Sequence, residues 1–163
     1  MKIPLSLSLD PLFKTAALIR NNSKMSKYSI VLDENEIKLL AASLREIQQN
    51  ILKQDSQTGK TRIWFQGEEA YFDVFFELQD HEITWFQFTF RGKSLSWDSK
   101  NPGWQTGTTN ELKVGDVSFY AASKTIENDI EIDWEFVNLV KSIIQIRDQE
   151  EIFQKVLLLF NYY

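Results

Sequence analysis

One stretch of this chain constrains its fold more than any other. Ala70, Phe72, Val74, Phe76 and Leu78 alternate with Tyr71, Asp73, Phe75 and Glu77. Ile83 to Arg91 alternates again, with Phe86, Phe88 and Phe90 on one side. Successive side chains of a strand point to opposite faces, so a period of two over this length predicts two half-buried strands. Gln79-Asp80-His81-Glu82 separates them and reads as a hairpin turn.

The faces also predict the register. A three-residue loop, Asp80 to Glu82, sets Phe76 opposite Phe86, Val74 opposite Phe88 and Phe72 opposite Phe90. A plain two-residue loop would set Phe88 against Asp73. A one-residue slip turns a whole apolar face outward, so the first register is expected.

Other elements follow from capping and periodicity. Asp10-Pro11 opens a short helix that ends at Asn21-Asn22-Ser23, and Tyr28 to Leu32 reads as an edge strand. Asp33-Glu34-Asn35-Glu36 is a capping box. It leads into Ile37, Leu40, Leu44, Ile47 and Ile51, the spacing of an amphipathic helix of about five turns. Thr61 to Gln66 is a strand, and Gly67-Glu68-Glu69 turns the chain into the first Phe-rich strand. Gly92-Lys93 turns it into Ser94 to Trp97. Asp98 to Glu111 reads as a polar loop. Leu112 to Ala122 is expected to form a strand or hairpin, and Ser123 to Asp129 a loop. From Asp133 a nearly all-apolar helix is expected to be buried on most sides. Asp148-Gln149-Glu150-Glu151, a second capping box, breaks it into a last helix.

With 163 residues, 43% of them hydrophobic, the chain has enough apolar side chains for one core. The expected fold is a single α+β domain over residues 1–163. An antiparallel β-meander of four to six strands packs on N-terminal and C-terminal helices.

Composition narrows the function. The chain has no cysteine, which excludes disulfides and thiolate chemistry. Its formal charge is −5, and its 18 basic residues form no cluster, which argues against a nucleic-acid partner. The opening Met1 to Asp10 has too short and too interrupted an apolar run for a signal peptide. No run spans a membrane, so a cytoplasmic protein is expected. No cofactor or metal site is expected either. Thr58-Gly59-Lys60-Thr61 ends like a phosphate-binding loop, but Gln54 stands where a glycine is required, and the order of elements is wrong. His81, the single histidine, lies in the hairpin turn and reads as solvated. Asp73 and Glu77 would lie roughly 13 Å apart along one strand, too far for a pair of glycosidase carboxylates.

Two places remain for binding. One is the second sheet face, where Tyr71, Asp73, Phe75 and Glu77 oppose Arg91, Thr89, Gln87 and Trp85, with Arg91 able to stack on Tyr71. A helix covering that face is the competing structural expectation. The other is the 97–111 loop, with Trp97, Asp98, Asn101 and Trp104 around the Asn101-Pro102-Gly103 turn. With no catalytic constellation legible, the expected function is a non-enzymatic protein-binding or inhibitor-type protein that uses one of these surfaces. The alternative is a small-molecule binder or enzyme with a pocket between the sheet and that loop. The apolar tail Leu157 to Tyr163 either packs inside or makes a homodimer.

Overall fold

A computed structural model describes residues 29–48, 59–110 and 125–163. The described elements fall within one compact unit, Val31–Tyr163. In chain order they are α1 (Glu34–Ser43), β1 (Arg45–Glu46), β2 (Lys60–Gln66), β3 (Asp73–Gln79), β4 (Glu82–Phe90), β5 (Lys93–Asp98), β6 (Asn101–Thr109), β7 (Ile126–Asn128), α2 (Trp134–Gln145) and α3 (Glu151–Tyr162). The seven strands form one antiparallel sheet in sequence order, β1 to β7. This is the α+β meander the sequence predicts, with a little more sheet than four to six strands.

The central register is the expected one: Phe76 pairs with Phe86 and Val74 with Phe88. The turn that achieves it is tighter than expected. Gln79 pairs with Glu82 across Asp80-His81, whose φ angles of 52° and 68° are those of a two-residue primed turn. That turn alone would slip the Phe faces by one. A β-bulge corrects it: Leu78 pairs with Ile83 and Glu77 with Trp85, so Thr84 is the extra residue. The Thr84 hydroxyl donates to the Glu77 carbonyl at 3.1 Å and holds the bulge.

The core lies between one sheet face and the helices. Phe72, Val74, Phe76, Phe86, Phe88, Phe90 and Leu95 are fully buried there. Phe136 of α2 meets Phe88 edge-on, and Phe153 of α3 meets both Phe65 and Phe76. α1 packs on α2.

Several sequence expectations are corrected. The Asp33–Glu36 capping box is present, with both hydrogen bonds made, but α1 ends at Ser43. Leu44 turns extended, Arg45 and Glu46 pair with Gln66 and Phe65, and Ile47 donates to the Trp64 carbonyl. Sheet pairing thus outweighs the helical period. Residues 29–32 join no strand, because β1 takes the place beside β2. β3 starts at Asp73 rather than Ala70, yet Phe72 still packs on Phe88 and Phe90. The next turn is Arg91-Gly92, both at positive φ, and β5 starts at Lys93. Part of the 123–129 loop is strand β7.

α2 is buried on one side only, through Phe136, Val137, Val140, Ile143 and Ile144, while Trp134 is half exposed at 52%. The chain breaks after α2 as expected. The cap of α3 is Glu150, however, with no side-chain cap bond, because its carboxylate is engaged by Arg147. The expected helix at 10–23 and the strand or hairpin at 112–122 lie outside the described residues. Among the described residues no helix is long and apolar enough to cross a membrane.

Candidate functional site

The expected polar loop from Asp98 is not a loop over its described residues, 98–110. Ser99-Lys100 turns the chain, the Asp98 carboxylate accepts from the Lys100 amide at 2.8 Å, and Asn101–Thr109 runs back along β5. Pro102 fits here because β6 lies near the sheet edge, and the ladder register shifts between Ser96 and Asp98. Trp97 and Trp104 therefore do not flank a binding loop. They are 7% and 6% exposed. Trp104 stacks on Phe160 and meets Phe86 edge-on, and Trp97 contacts Tyr163. The two indoles expected beside a pocket there thus pack on other aromatic rings instead.

The tail is placed by the same contacts. Phe160 and Tyr163 pack back on the sheet, which leaves Leu158 and Tyr162 as its most exposed large side chains.

The second sheet face remains. The ladder pairings arrange it in three rows that cross the strands. The first is Gln66, Asp73, Thr89, Ser94 and Gly107. The second is Trp64, Phe75, Gln87, Ser96 and Gln105. The third is Arg62, Glu77, Trp85, Asp98 and Asn101. Of the expected residues, Asp73, Phe75, Trp85, Asp98 and Asn101 share this face. Tyr71 and Arg91 stand in the turns at its margin.

Each row has its own character. Asp73, Thr89 and Ser94 of the first are buried. The Thr89 hydroxyl donates to the Tyr71 carbonyl at 3.2 Å, so the turn before β3 folds toward this row. Tyr71 itself holds φ 62° and is 49% exposed. In the second row Trp64 and Phe75 stack at 5.4 Å with planes 11° apart, and the Trp64 indole N–H donates to the Asp73 carboxylate at 3.0 Å. Both rings stay half-buried, as do Gln87, Ser96 and Gln105. In the third, Glu77 accepts from Lys60 at 2.8 Å and Arg62 at 3.3 Å. The Lys60 bond is the largest influence holding Glu77 below its usual range, with burial opposing it and Arg62 adding to it. Arg91 forms a two-pronged pair with Glu69 at 2.8 and 2.9 Å and lies over Phe90. The hydrogen bond to Glu69 raises it, against burial.

The described helices gather on the opposite face, so among the described residues no helix covers this one. Trp64 is the site residue that sequence reasoning missed. Its signal is the alternation Arg62, Trp64, Gln66 against Ile63 and Phe65, readable only once β2 is placed beside β3.

Comparison with protein-family models, characterised proteins and solved structures gave no significant match.

A separate cleft of about 590 Å³ lies between the Asp80-His81 turn and the start of α3. It contains none of the expected site residues. His81 is exposed, and its carbonyl accepts from Lys155 at 2.7 Å. Among the described residues no group of His, Asp and Glu is arranged to hold a metal ion.

Proposed function

We propose that this chain is a non-enzymatic protein-binding module that uses the second sheet face. One observation carries the reading. The stacked, half-buried Trp64–Phe75 pair continues into a row of amides and a hydroxyl, Gln87, Ser96 and Gln105, beside Trp85 in the next row. Large aromatic side chains fixed by their neighbours give contact area with little further loss of conformational freedom, and adjacent amides supply directional hydrogen bonds. Hydrogen-bonded neighbouring strands hold these groups rigidly, as a recognition surface needs.

The test is affinity capture from the cells that make the protein. Trp85→Ala and Phe75→Ala should each abolish capture of a partner held by the native chain. Trp134→Ala, on α2 and half exposed, should leave capture intact. Equal capture by all three variants would refute the assignment to this face.

A further inference from the structure

We infer that the cleft at the Asp80-His81 turn binds a small organic cation, an alkylammonium whose chain lies on the cleft floor and whose charged end meets Asp80. The site is separate from the second sheet face and does not depend on the protein-binding reading above.

The cleft forms where the core face of the sheet runs past the last aromatic ring of the core. Phe153 of α3 packs on Phe65 and Phe76. Ile63 pairs with Phe76, and one step nearer the hairpin on the same face Thr61 pairs with Leu78. The start of α3, through Glu151, Ile152 and Lys155, makes the opposite wall, and Gly59 and the Asp80-His81 turn close the end. The resulting space, about 590 Å³, is of ordinary size for a small-molecule site. Its floor is apolar: Leu78 is buried, and Ile63 and Ile152 are half-buried. A hydrocarbon chain laid there removes the remaining apolar surface from water.

The rim decides the sign of the ligand. Lys155 is already committed, since its ammonium donates to the Glu151 carboxylate at 2.9 Å and to the His81 carbonyl at 2.7 Å. The Asp80 side chain is exposed and makes no hydrogen bond or ion pair among the described residues. With His81 uncharged, two carboxylates and one ammonium leave the rim with one negative charge in excess. A ligand ammonium beside Asp80 neutralises that excess. A ligand carboxylate or phosphate would instead meet two carboxylates and an ammonium that is already paired.

The turn supports the same reading. Position 81 holds φ 68°, where glycine costs less than a residue with a Cβ. The chain carries histidine there all the same, and both turn residues line the cleft.

An NMR titration of the backbone amides of the full chain tests the inference, with hexylamine, hexanol and hexanoate as probes. It is run at pH 8, where histidine is ordinarily uncharged. Hexylamine should shift the amides of residues 59–63, 78–81 and 151–155 and saturate with a Kd on the order of 1 mM, as expected for so few atoms. Hexanol should bind about fivefold more weakly, the scale of an exposed ion pair, and hexanoate more weakly still. Butylamine should bind more weakly than hexylamine, because its chain covers less of the floor. Asp80→Asn keeps a residue suited to the turn and removes the charge, so it should weaken hexylamine about fivefold and leave hexanol unchanged. An unfolding midpoint no lower than that of the native chain shows that the variant's turn is intact. Three results would each overturn the inference: no saturable shift at the cleft up to about 20 mM hexylamine, hexanoate binding as tightly as hexylamine, or native affinity for hexylamine in Asp80→Asn.

Discussion

The Trp104 ring stacks on that of Phe160, centroid to centroid at 4.2 Å and 26° from parallel. The contact joins β6 to the last helix, and it turns an indole with the look of a ligand-binding group into core. Replacing either ring by alanine should cost about 3–5 kcal/mol by lost burial and the cavity left behind. Urea unfolding of Trp104→Ala and Phe160→Ala checks this. A loss below about 1 kcal/mol would mean that the tail does not pack as described.

Arg147 closes the helical layer on itself. Its guanidinium donates to the carbonyls of Ala41 at 3.0 Å and Leu44 at 2.6 Å, pairs with Glu150 and lies over the rings of Phe65 and Phe153. It thus satisfies the Leu44 carbonyl just past the end of α1 and adds a second donor to the Ala41 carbonyl, which also accepts from the Leu44 amide at 3.3 Å. Arg147→Ala should lower stability by roughly 2–3 kcal/mol, as for hydrogen bonds to a charged group. Arg147→Lys should recover less than half, since an ammonium cannot reproduce the planar fork. Thermal unfolding of both variants would decide.

Gly67 has no room for a methyl group. A Cβ there would lie 2.0 Å from Cδ1 of Phe72, a ring buried between Phe88 and Phe90. Gly67→Ala should therefore destabilise by about 1–3 kcal/mol through overpacking. Gly59→Ala serves as a contrast, since no heavy atom lies within 4 Å of its Cβ and only its φ of 66° is strained. The Gly67 variant should lose more stability in a parallel denaturant titration.

Acid should weaken the fold through two carboxylates. Burial alone would raise Asp133, but the Lys93 ammonium at 2.5 Å and the Phe136 and Glu135 amides outweigh it, leaving the group below its ordinary 3.8. Glu77 is likewise held below 4.5, chiefly by Lys60. A carboxylate whose folded pKa is depressed stabilises the fold above its unfolded value and loses that contribution as pH falls through the folded one. The denaturation midpoint should change little above about pH 5.5 and fall below about 4.5. Lys93→Met should flatten part of the fall. A profile unchanged in this variant would show that the Lys93–Asp133 pair contributes nothing.

The strained turn offers a gain. Asp80 and His81 both hold positive φ, a region that Asp enters at modest cost and a side chain such as that of His81 enters at a larger one than glycine. Changing the pair to Asn-Gly should raise stability by about 1 kcal/mol, with the Phe76–Phe86 register kept. Calorimetry would register this as a higher Tm.

Where the sequence was legible, local chemistry and tertiary packing agreed. The period of two placed Phe76 against Phe86 because only that pairing buries both faces, and the Asp33–Glu36 capping box made the start of α1 readable from four residues. The sequence also determined the α+β class and the identity of most second-face residues, since alternation alone sorts Asp73, Phe75 and Trp85 from the core phenylalanines. What only the tertiary structure decided were places where non-local pairing overrode local preference. Ladder bonds from Phe65 and Gln66 ended a helix whose apolar period continued. A shifted register let Asn101-Pro102-Gly103, a turn by composition, run as strand. The return of α3 over the sheet buried Trp97 and Trp104. In each case the deciding partner lies outside the local segment, and its hydrogen bonds and buried area exceed the fraction of a kcal/mol per residue that local propensity supplies.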